Sequence, residues 1–306
     1  MKINLFIPTL NAGKKWHKVL EQIAAQSVSF HQKVIIDSGS TDGTLDDPLL
    51  KDFKILKIDK REFDHGGTRQ MAVEQFPEAD IFVFLTQDAI LANAESIEKL
   101  VKTFENMPKL GLAYGRQLPH LGAKTLESHA RLFNYPTKSE IRSLEDAEKH
   151  GIKTISCSNS FAAYRKAAFF EAGGFPKGLI LGEDAYLAGK MLLAGWKLAY
   201  IAEAQVHHSH DYTVLEEFKR YFDIGVFHAQ SSWIFKNFGR AESRGVQYLK
   251  SELAYAAQNN ITVLPKSIAS LFAKWSGYKI GLRYKKLPRS FKKGISMHPR
   301  FWDSTQ

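Results

Sequence analysis

Hydrophobic positions in the first part of the chain gather into short, largely unbroken runs. INLFIP (3–8), KVIID (33–37), FKILKI (53–58) and DIFVFL (80–85) are too short for helices and too apolar for a half-exposed sheet, so they read as buried strands. Between the first two lies KKWHKVLEQIAAQ (14–26), and between the last two GGTRQMAVEQF (66–76), both with helical spacing of apolar residues. Strand, helix, strand, helix predicts a parallel sheet with crossover helices. Ligands of such sheets sit beyond the carboxyl ends of the strands. That rule singles out Pro8 and Thr9, Asp37 and Ser38, and Asp88 at the end of FLTQDAI.

The glycine-rich signals found at many such strand ends are missing. Neither GxGxxG nor GxxxxGK[ST] occurs, so neither a Rossmann dinucleotide site nor a P-loop is expected. The second strand instead runs into DSGSTDGT (37–44). As a polar turn this stretch would cap the next helix with Asp42 or Thr41. As a binding loop it would present Asp37 to a base or ribose, with Asp42 fixing the turn.

Composition narrows the class. The chain has 306 residues, 44% hydrophobic and 24% charged, enough for a large core and too apolar for disorder. Its one cysteine, Cys157, forms no internal disulfide, and no Cys/His cluster suggests structural zinc, which fits a reducing cytoplasm. The N-terminal apolar stretch is too short for a signal peptide, and no run of 18 apolar residues predicts a membrane span. The net charge of +10 is uneven: residues 1–213 hold 26 basic and 26 acidic side chains, and residues 214–306 hold 16 and 6. That asymmetry predicts two regions with different partners.

IPTLNAG, VIIDSGSTDGT and GGTRQ, followed by an acid after the fourth strand, resemble the nucleotide-binding half of glycosyltransferase family 2, the inverting enzymes of the GT-A fold. The resemblance continues into GGFPKGLILGEDAYLAGKMLLAGWKLAYIAEAQVHHSH (173–210), which is similar to that family's acceptor half. YGRQLPH (114–120), RLFNYP (131–136), SNSFAAYR (158–165) and FKRYFDIGVFH (218–228) look more narrowly like bacterial rhamnosyltransferases of surface-polysaccharide synthesis. The fold implied is α/β, a GT-A mixed but mostly parallel sheet with flanking helices over residues 1–212. A helical, basic region would occupy 213–306.

The resemblance also distributes roles. Pro8, Thr9, Asp37, Ser38, Asp42, Arg69, Gln87 and Asp88 would surround the sugar nucleotide, with Arg69 near the diphosphate and Asp64 and His65 shaping its loop. Leaving diphosphate gains charge in the transition state, and a divalent metal neutralises it. The family's Asp-x-Asp metal motif here reads Thr86-Gln87-Asp88, so Asp88 is the single acid left to hold Mg2+ or Mn2+. His207, His208 and His210 follow the expected strand pair KLAYIAEAQV. Of these, His208 is the expected second metal ligand, with His210 next, and a histidine ligand favours manganese. Inversion needs one general base, for which the match points to Asp184, with Glu183 supporting it.

The last third differs in character. TVLEEFKRYFDIGVFHAQSSWIFKNF (213–238), GVQYLKSELAYAAQ (245–258) and SIASLFAKWSGYKIGLRYKK (267–286) read as helices, and RYKKLPRSFKKG (283–294) holds six basic residues and no acid. With Trp275, Tyr278, Tyr284 and Phe291 nearby, this tail is expected to meet an anionic membrane surface at the inner face of the cell membrane, where a lipid-linked glycan acceptor would lie. No nucleic-acid-binding signature is present. The resemblance implies transfer of a sugar, L-rhamnose from dTDP-rhamnose, in O-antigen or capsule synthesis. A UDP-sugar transferase, a sugar-nucleotide pyrophosphorylase and a non-catalytic nucleotide-binding module with a nucleic-acid-binding tail are the alternatives.

Overall fold

A computed structural model describes residues 1–239 and 244–304. β1 (Ile3–Thr9), α1 (Trp16–Ala24), β2 (Gln32–Asp37), β3 (Lys54–Lys57), α2 (His65–Gln75) and β4 (Ile81–Leu85) realise the expected alternation. β1 runs parallel to both β2 and β4, and β3 lies parallel to β2 at the edge. β4 is buried along its whole length because helices cover both faces of the sheet. Its alternate residues enter two cores: Phe82 and Phe84 join Phe6, Val34 and Ile36, while Ile81, Val83 and Leu85 join Leu5, Ile7 and Ile35. β3 carries exposed lysines at both ends, which suits an edge strand.

The chain continues through β5 (Ile90–Leu91), α3 (Ser96–Lys102), β6 (Leu110–Leu118), α4 (Thr125–Asn134), β7 (Glu140–Arg142), the single turn α5 (Ala147–His150), β8 (Phe161–Arg165), α6 (Lys166–Glu171), α7 (Glu183–Leu193) and β9 (Lys197–His207). The sheet order is β3-β2-β1-β4-β8-β6-β9-β5, with β7 also on β9. β8 is antiparallel to both of its neighbours, so the sheet is mixed.

β9 corrects one expectation: KLAYIAEAQV is not a strand pair but part of one long strand. Its register against β6 slips between Gly115 and Arg116, which pair with Ile201 and Gln205. A side chain at Gly115 would collide with the Phe161 ring and the Ala204 carbonyl, so glycine permits the irregularity. Beyond it, His207 pairs with Ile90, and this register carries His208 to the neighbourhood of Asp88.

Among the described residues the α-helices that follow are α8 (Val214–Gln230), α9 (Trp233–Phe238), α10 (Arg244–Asn259), α11 (Leu264–Gly281), α12 (Arg289–Ile295) and α13 (Phe301–Ser304). The stretch 213–238 is two helices rather than one, broken at Ser231 and Ser232. The stretch 267–286 ends its helix at Gly281 and passes into a short 3-10 turn, Tyr284–Lys286. Thr213 and Glu216 cap α8 reciprocally. Phe222, Val226, Phe227, Ile234, Phe238 and Trp302 share one core with Tyr164, Leu187 and Met191, so the helical region packs directly on the sheet domain. Truncating a buried Trp such as Trp302 to alanine would cost about 3–5 kcal/mol.

Candidate active site

The ends of β1 and β2 are stitched to each other. Thr9 Oγ1 donates to Asp37 Oδ1 at 3.1 Å, and the backbone N–H groups of Gly39 and Ser40 donate to Asp37 Oδ2 at 3.0 Å each. The Ser40 hydroxyl donates to Asp37 as well. Ser38 gives both its N–H and its hydroxyl to the Thr9 carbonyl, each at 3.0 Å. Thr9, Asp37 and Ser38 are buried, and Pro8 is half-buried beside them. Asp37 therefore anchors the turn through donors from both strand ends.

Asp42 accepts from Thr44 N and from Gly13 N, both at 3.1 Å, and so ties the turn to the loop after β1. The Thr44 hydroxyl beside it holds its carboxyl below the usual range. Neither Asp42 nor Thr41 caps an α-helix; Gly43, in the left-handed region at φ 84°, leads into a 3-10 turn, Thr44–Asp46. Gln87 Oε1 accepts from Leu10 N at 2.8 Å and its Nε2 donates to Leu10 O at 3.1 Å, pinning the same loop to the end of β4. A cavity of about 350 Å3 opens alongside, bordered by Gly13, Lys14, Trp16, Asp42 and Thr44.

Next to Gln87, Asp88 meets two histidines. Its Oδ1 is 3.4 Å from His208 Nε2 and its Oδ2 is 3.7 Å from His210 Nε2, and the three donor atoms lie within 4.8 Å of one another. His207, by contrast, donates from Nδ1 to the Pro119 carbonyl at 2.8 Å. Burial works against the Asp88 charge, yet His208 and His210, when protonated, hold its carboxyl well below the usual range.

The tautomer of His208 follows from donor accounting. Arg131 Nη1 donates to Gln117 Oε1, and a guanidinium has no acceptor, so this atom is the amide oxygen. Gln117 Nε2 goes to Ser158 Oγ at 2.9 Å. His208 Nδ1 lies 2.9 Å from the same amide oxygen and must carry the proton. In the neutral ring, Nε2 then points a lone pair at a carboxylate oxygen, a repulsion that only a proton or a cation relieves. One carboxylate oxygen and two imidazole nitrogens fit a divalent transition metal, and Gln117 orients the ring as an outer partner should.

The acids at the start of α7 divide into a buried one and a half-buried one. Glu183 Oε1 lies 3.1 Å from Arg69 Nη1 and accepts from Asn159 Nδ2 at 3.0 Å. Burial would raise its pKa, but Arg69, His65 and Asn159 outweigh that and leave it lowered. Arg69 also donates to the His65 carbonyl at 2.8 Å. Expected at the diphosphate, Arg69 is instead buried against Glu183. Gly66 lets α2 approach the loop before α7: a side chain there would strike the Pro176 carbonyl. Asp64 caps α2 through Gly67 N and also accepts from Gly178 N at 3.0 Å, while His65 stacks edge-on against His298.

Asp184 accepts from Ala185 N at 2.7 Å and Asn159 N at 3.1 Å. Burial, and then the negative Glu183 beside it, push its pKa up to about 6. A carboxylate whose proton affinity sits near neutrality is suited to taking a proton from a hydroxyl.

One segment joins the two clusters. Ser158 accepts from Gln117, which holds His208; Asn159 donates to both Glu183 and Asp184; and the Ser160 carbonyl accepts from Thr86 N at 3.4 Å. Gln117, Arg131 and Asn159 were not singled out from the sequence. They fall within YGRQLPH, RLFNYP and SNSFAAYR, the stretches that carried the narrower resemblance, but nothing inside those stretches marks which side chain matters.

The profile of glycosyl transferase family 2 matches residues 5–171. Over 309 residues, all of this chain and 98% of the relative, the sequence is 48% identical to the O-antigen chain rhamnosyltransferase RfbN of Salmonella typhimurium. It is 44% identical to the O-antigen chain rhamnosyltransferase WbaN of Salmonella anatum over 99% of this chain and 96% of that one. Among solved structures, the mannosyltransferase PcManGT from Pyrobaculum calidifontis, in complex with GDP-Man and Mn2+, superposes with a TM-score of 0.58 over 99% of this chain and 88% of that one, at 16% identity. S. aureus TarS 1-349 gives a TM-score of 0.52 at 16% identity over 94% of this chain and 92% of that one.

Proposed function

The chain belongs to glycosyl transferase family 2 and is a glycosyltransferase, and from that premise we propose that it transfers L-rhamnose, with inversion, from dTDP-rhamnose to a lipid-linked O-antigen glycan. The identity of the sugar rests on similarity along the whole chain to two O-antigen chain rhamnosyltransferases. Asp88 and His208, with His210, hold the metal, and two imidazole donors favour Mn2+ over Mg2+. An ion held by these residues would neutralise charge developing on the departing diphosphate. Residues 213–306 form the side that faces the acceptor and an anionic membrane surface.

Asp184 is the general base. It takes the proton from the acceptor hydroxyl as that oxygen bonds to the anomeric carbon and the bond to the diphosphate breaks on the opposite face. Glu183, kept ionised by Arg69, keeps the proton affinity of Asp184 high by its negative charge. The observation that carries this reading is the placement of Asp184 at the start of α7, beside Glu183 and held by Asn159 N, on a segment that also supports the Asp88 cluster.

Only the ionised carboxylate accepts a proton, so kcat/KM should fall as pH drops through about 6 and level off above it. Asp184→Asn should lower turnover by ~10²–10⁴-fold with donor affinity little changed. Assays with labelled dTDP-rhamnose and isolated glycan acceptor measure both. Wild-type turnover in Asp184→Asn would remove the base assignment, and label delivered only from a UDP-sugar would replace the donor.

A further inference from the structure

α11 is built with its large side chains outward. It buries Ser267, Ser270, Ala273, Gly277 and Gly281 against the rest of the protein, while Ile268, Phe272 and Trp275 are 61%, 67% and 59% exposed. A surface helix in a globular protein has the opposite arrangement, with its apolar stripe inward. Positions 268, 272, 275 and 279 follow helical spacing and form one outer stripe, which ends in exposed Lys279. The Phe272 and Trp275 rings lie 6.0 Å apart on it.

The inner face fixes this orientation. A side chain at Gly277 would strike the Phe218 carbonyl, one at Gly281 the Phe222 carbonyl, and one at Gly225 of α8 the Tyr278 carbonyl. The backbones of α8 and α11 approach so closely that α11 cannot rotate to bury its aromatics. The stripe thus needs a partner outside the chain.

Charge selects that partner. Residues 253–302 contain ten Lys and Arg and no Asp or Glu. Those facing the protein are already paired: Lys266 with Asp211 at 3.0 Å and Lys274 with Glu217 at 3.3 Å; Lys293 meets Asp303 at 2.7 Å. Lys279, Arg283, Lys285 and Lys286 are exposed and make no ion pair among the described residues. Of the aromatics expected to anchor the tail, Trp275 and Phe291 do face outward. Tyr284 packs on Trp302, and Tyr278 contacts His228 at 3.1 Å.

We propose that the outer stripe of α11 lies in the headgroup layer of an anionic bilayer, with Ile268, Phe272 and Trp275 at the acyl boundary. Lys279, Arg283, Lys285 and Lys286 contact lipid phosphates. No helix among the described residues is long and apolar enough to cross a membrane, so α11 lies in the plane of the surface. The proposal deepens, and for its use in the cell rests on, the reading that the acceptor is lipid-linked.

Co-sedimentation of the full chain with vesicles of phosphatidylglycerol and phosphatidylcholine, against phosphatidylcholine alone, tests it. Wild type should partition to the anionic vesicles, and added salt should weaken binding. Phe272→Ser with Trp275→Ser should bind at least tenfold more weakly, and Lys279→Gln, Lys285→Gln and Lys286→Gln together should abolish the salt-sensitive part. Both variants should keep wild-type melting temperature and donor hydrolysis, because all five side chains are exposed. Unchanged vesicle binding in Phe272→Ser with Trp275→Ser overturns the proposal. So does a wild-type chain that ignores vesicles and forms dimers which that variant dissolves, since the stripe would then be a contact between copies. Transfer of labelled rhamnose to a soluble glycan is read in parallel. Its failure with intact vesicle binding counts against the donor reading alone, and its success with vesicle binding unaltered by the variants counts against the membrane face alone.

Discussion

Two sets of polar residues sit at strand ends of this sheet, and they are treated oppositely. At β1 and β2 every acceptor of Asp37 meets a protein donor, and the Thr9 and Ser38 hydroxyls are spent on one another's strands. At β4 and β9, Asp88 faces His208 and His210 across gaps of 3.4 and 3.7 Å. A satisfied acid builds a loop; an acid facing the bare Nε2 of a neutral His208 offers a place for a cation. The strand-end rule finds both sets, and only the hydrogen-bond accounting separates them.

Three substitutions sharpen or break that contrast. Asp88→Asn should weaken Mn2+ binding by more than the ~10–100-fold that loss of an outer partner typically costs, measured by titration with electron paramagnetic resonance. The metal-free melting temperature should hold; wild-type Mn2+ affinity in this variant would remove the cluster as a metal site. Gln117→Leu should cost ~10–100-fold in Mn2+ affinity and release the His208 ring into a mixture of tautomers, visible in its ring 15N shifts. A single Nδ1–H tautomer in that variant would mean Gln117 does not set it. Asp37→Asn should cost about 1–3 kcal/mol of stability, since the amide cannot accept from all the donors aimed at it, and should leave Mn2+ affinity as it was. A variant that melts normally but loses metal would invert the comparison.

Local patterning made the first half of the fold legible. β1, β2, β4, α1 and α2 lie where their apolar runs lie, because a parallel sheet covered on both faces needs continuous hydrophobicity; β3 also forms at its run, but as an exposed edge strand and not the buried one expected. β9 was harder: the polar Glu203 within AEAQ looks like a turn, yet the register slip at Gly115 carries the strand through it. Asp88, Glu183, Asp184 and His208 stood out because each follows a strand or opens a helix. Gln117 did not, because its partners Ser158 and His208 are 41 and 91 positions away. Arg69 was misplaced for a similar reason: its partner is Glu183, in a helix whose proximity no local pattern reveals. Tyr278 and Tyr284 look like anchors by composition, but the rotation of α11, fixed by glycines 225, 277 and 281, turns Tyr278 toward His228, and Tyr284, in the 3-10 turn beyond, packs on Trp302.

The 158–160 segment has a consequence for anyone who would rebuild this enzyme. Because its three successive residues brace Gln117 and through it His208, both acids of α7 and the end of β4, the two candidate clusters share a single keystone. Exchanging the nucleotide-binding half for that of another transferase would leave the recipient's base hung from a foreign segment. Chimeras joined before Ser158 or after Ser160 should therefore carry the whole tripeptide with its partners Gln117, Glu183 and Asp184 from one parent, and specificity in this architecture should be easier to redraw around the site than to transplant in halves.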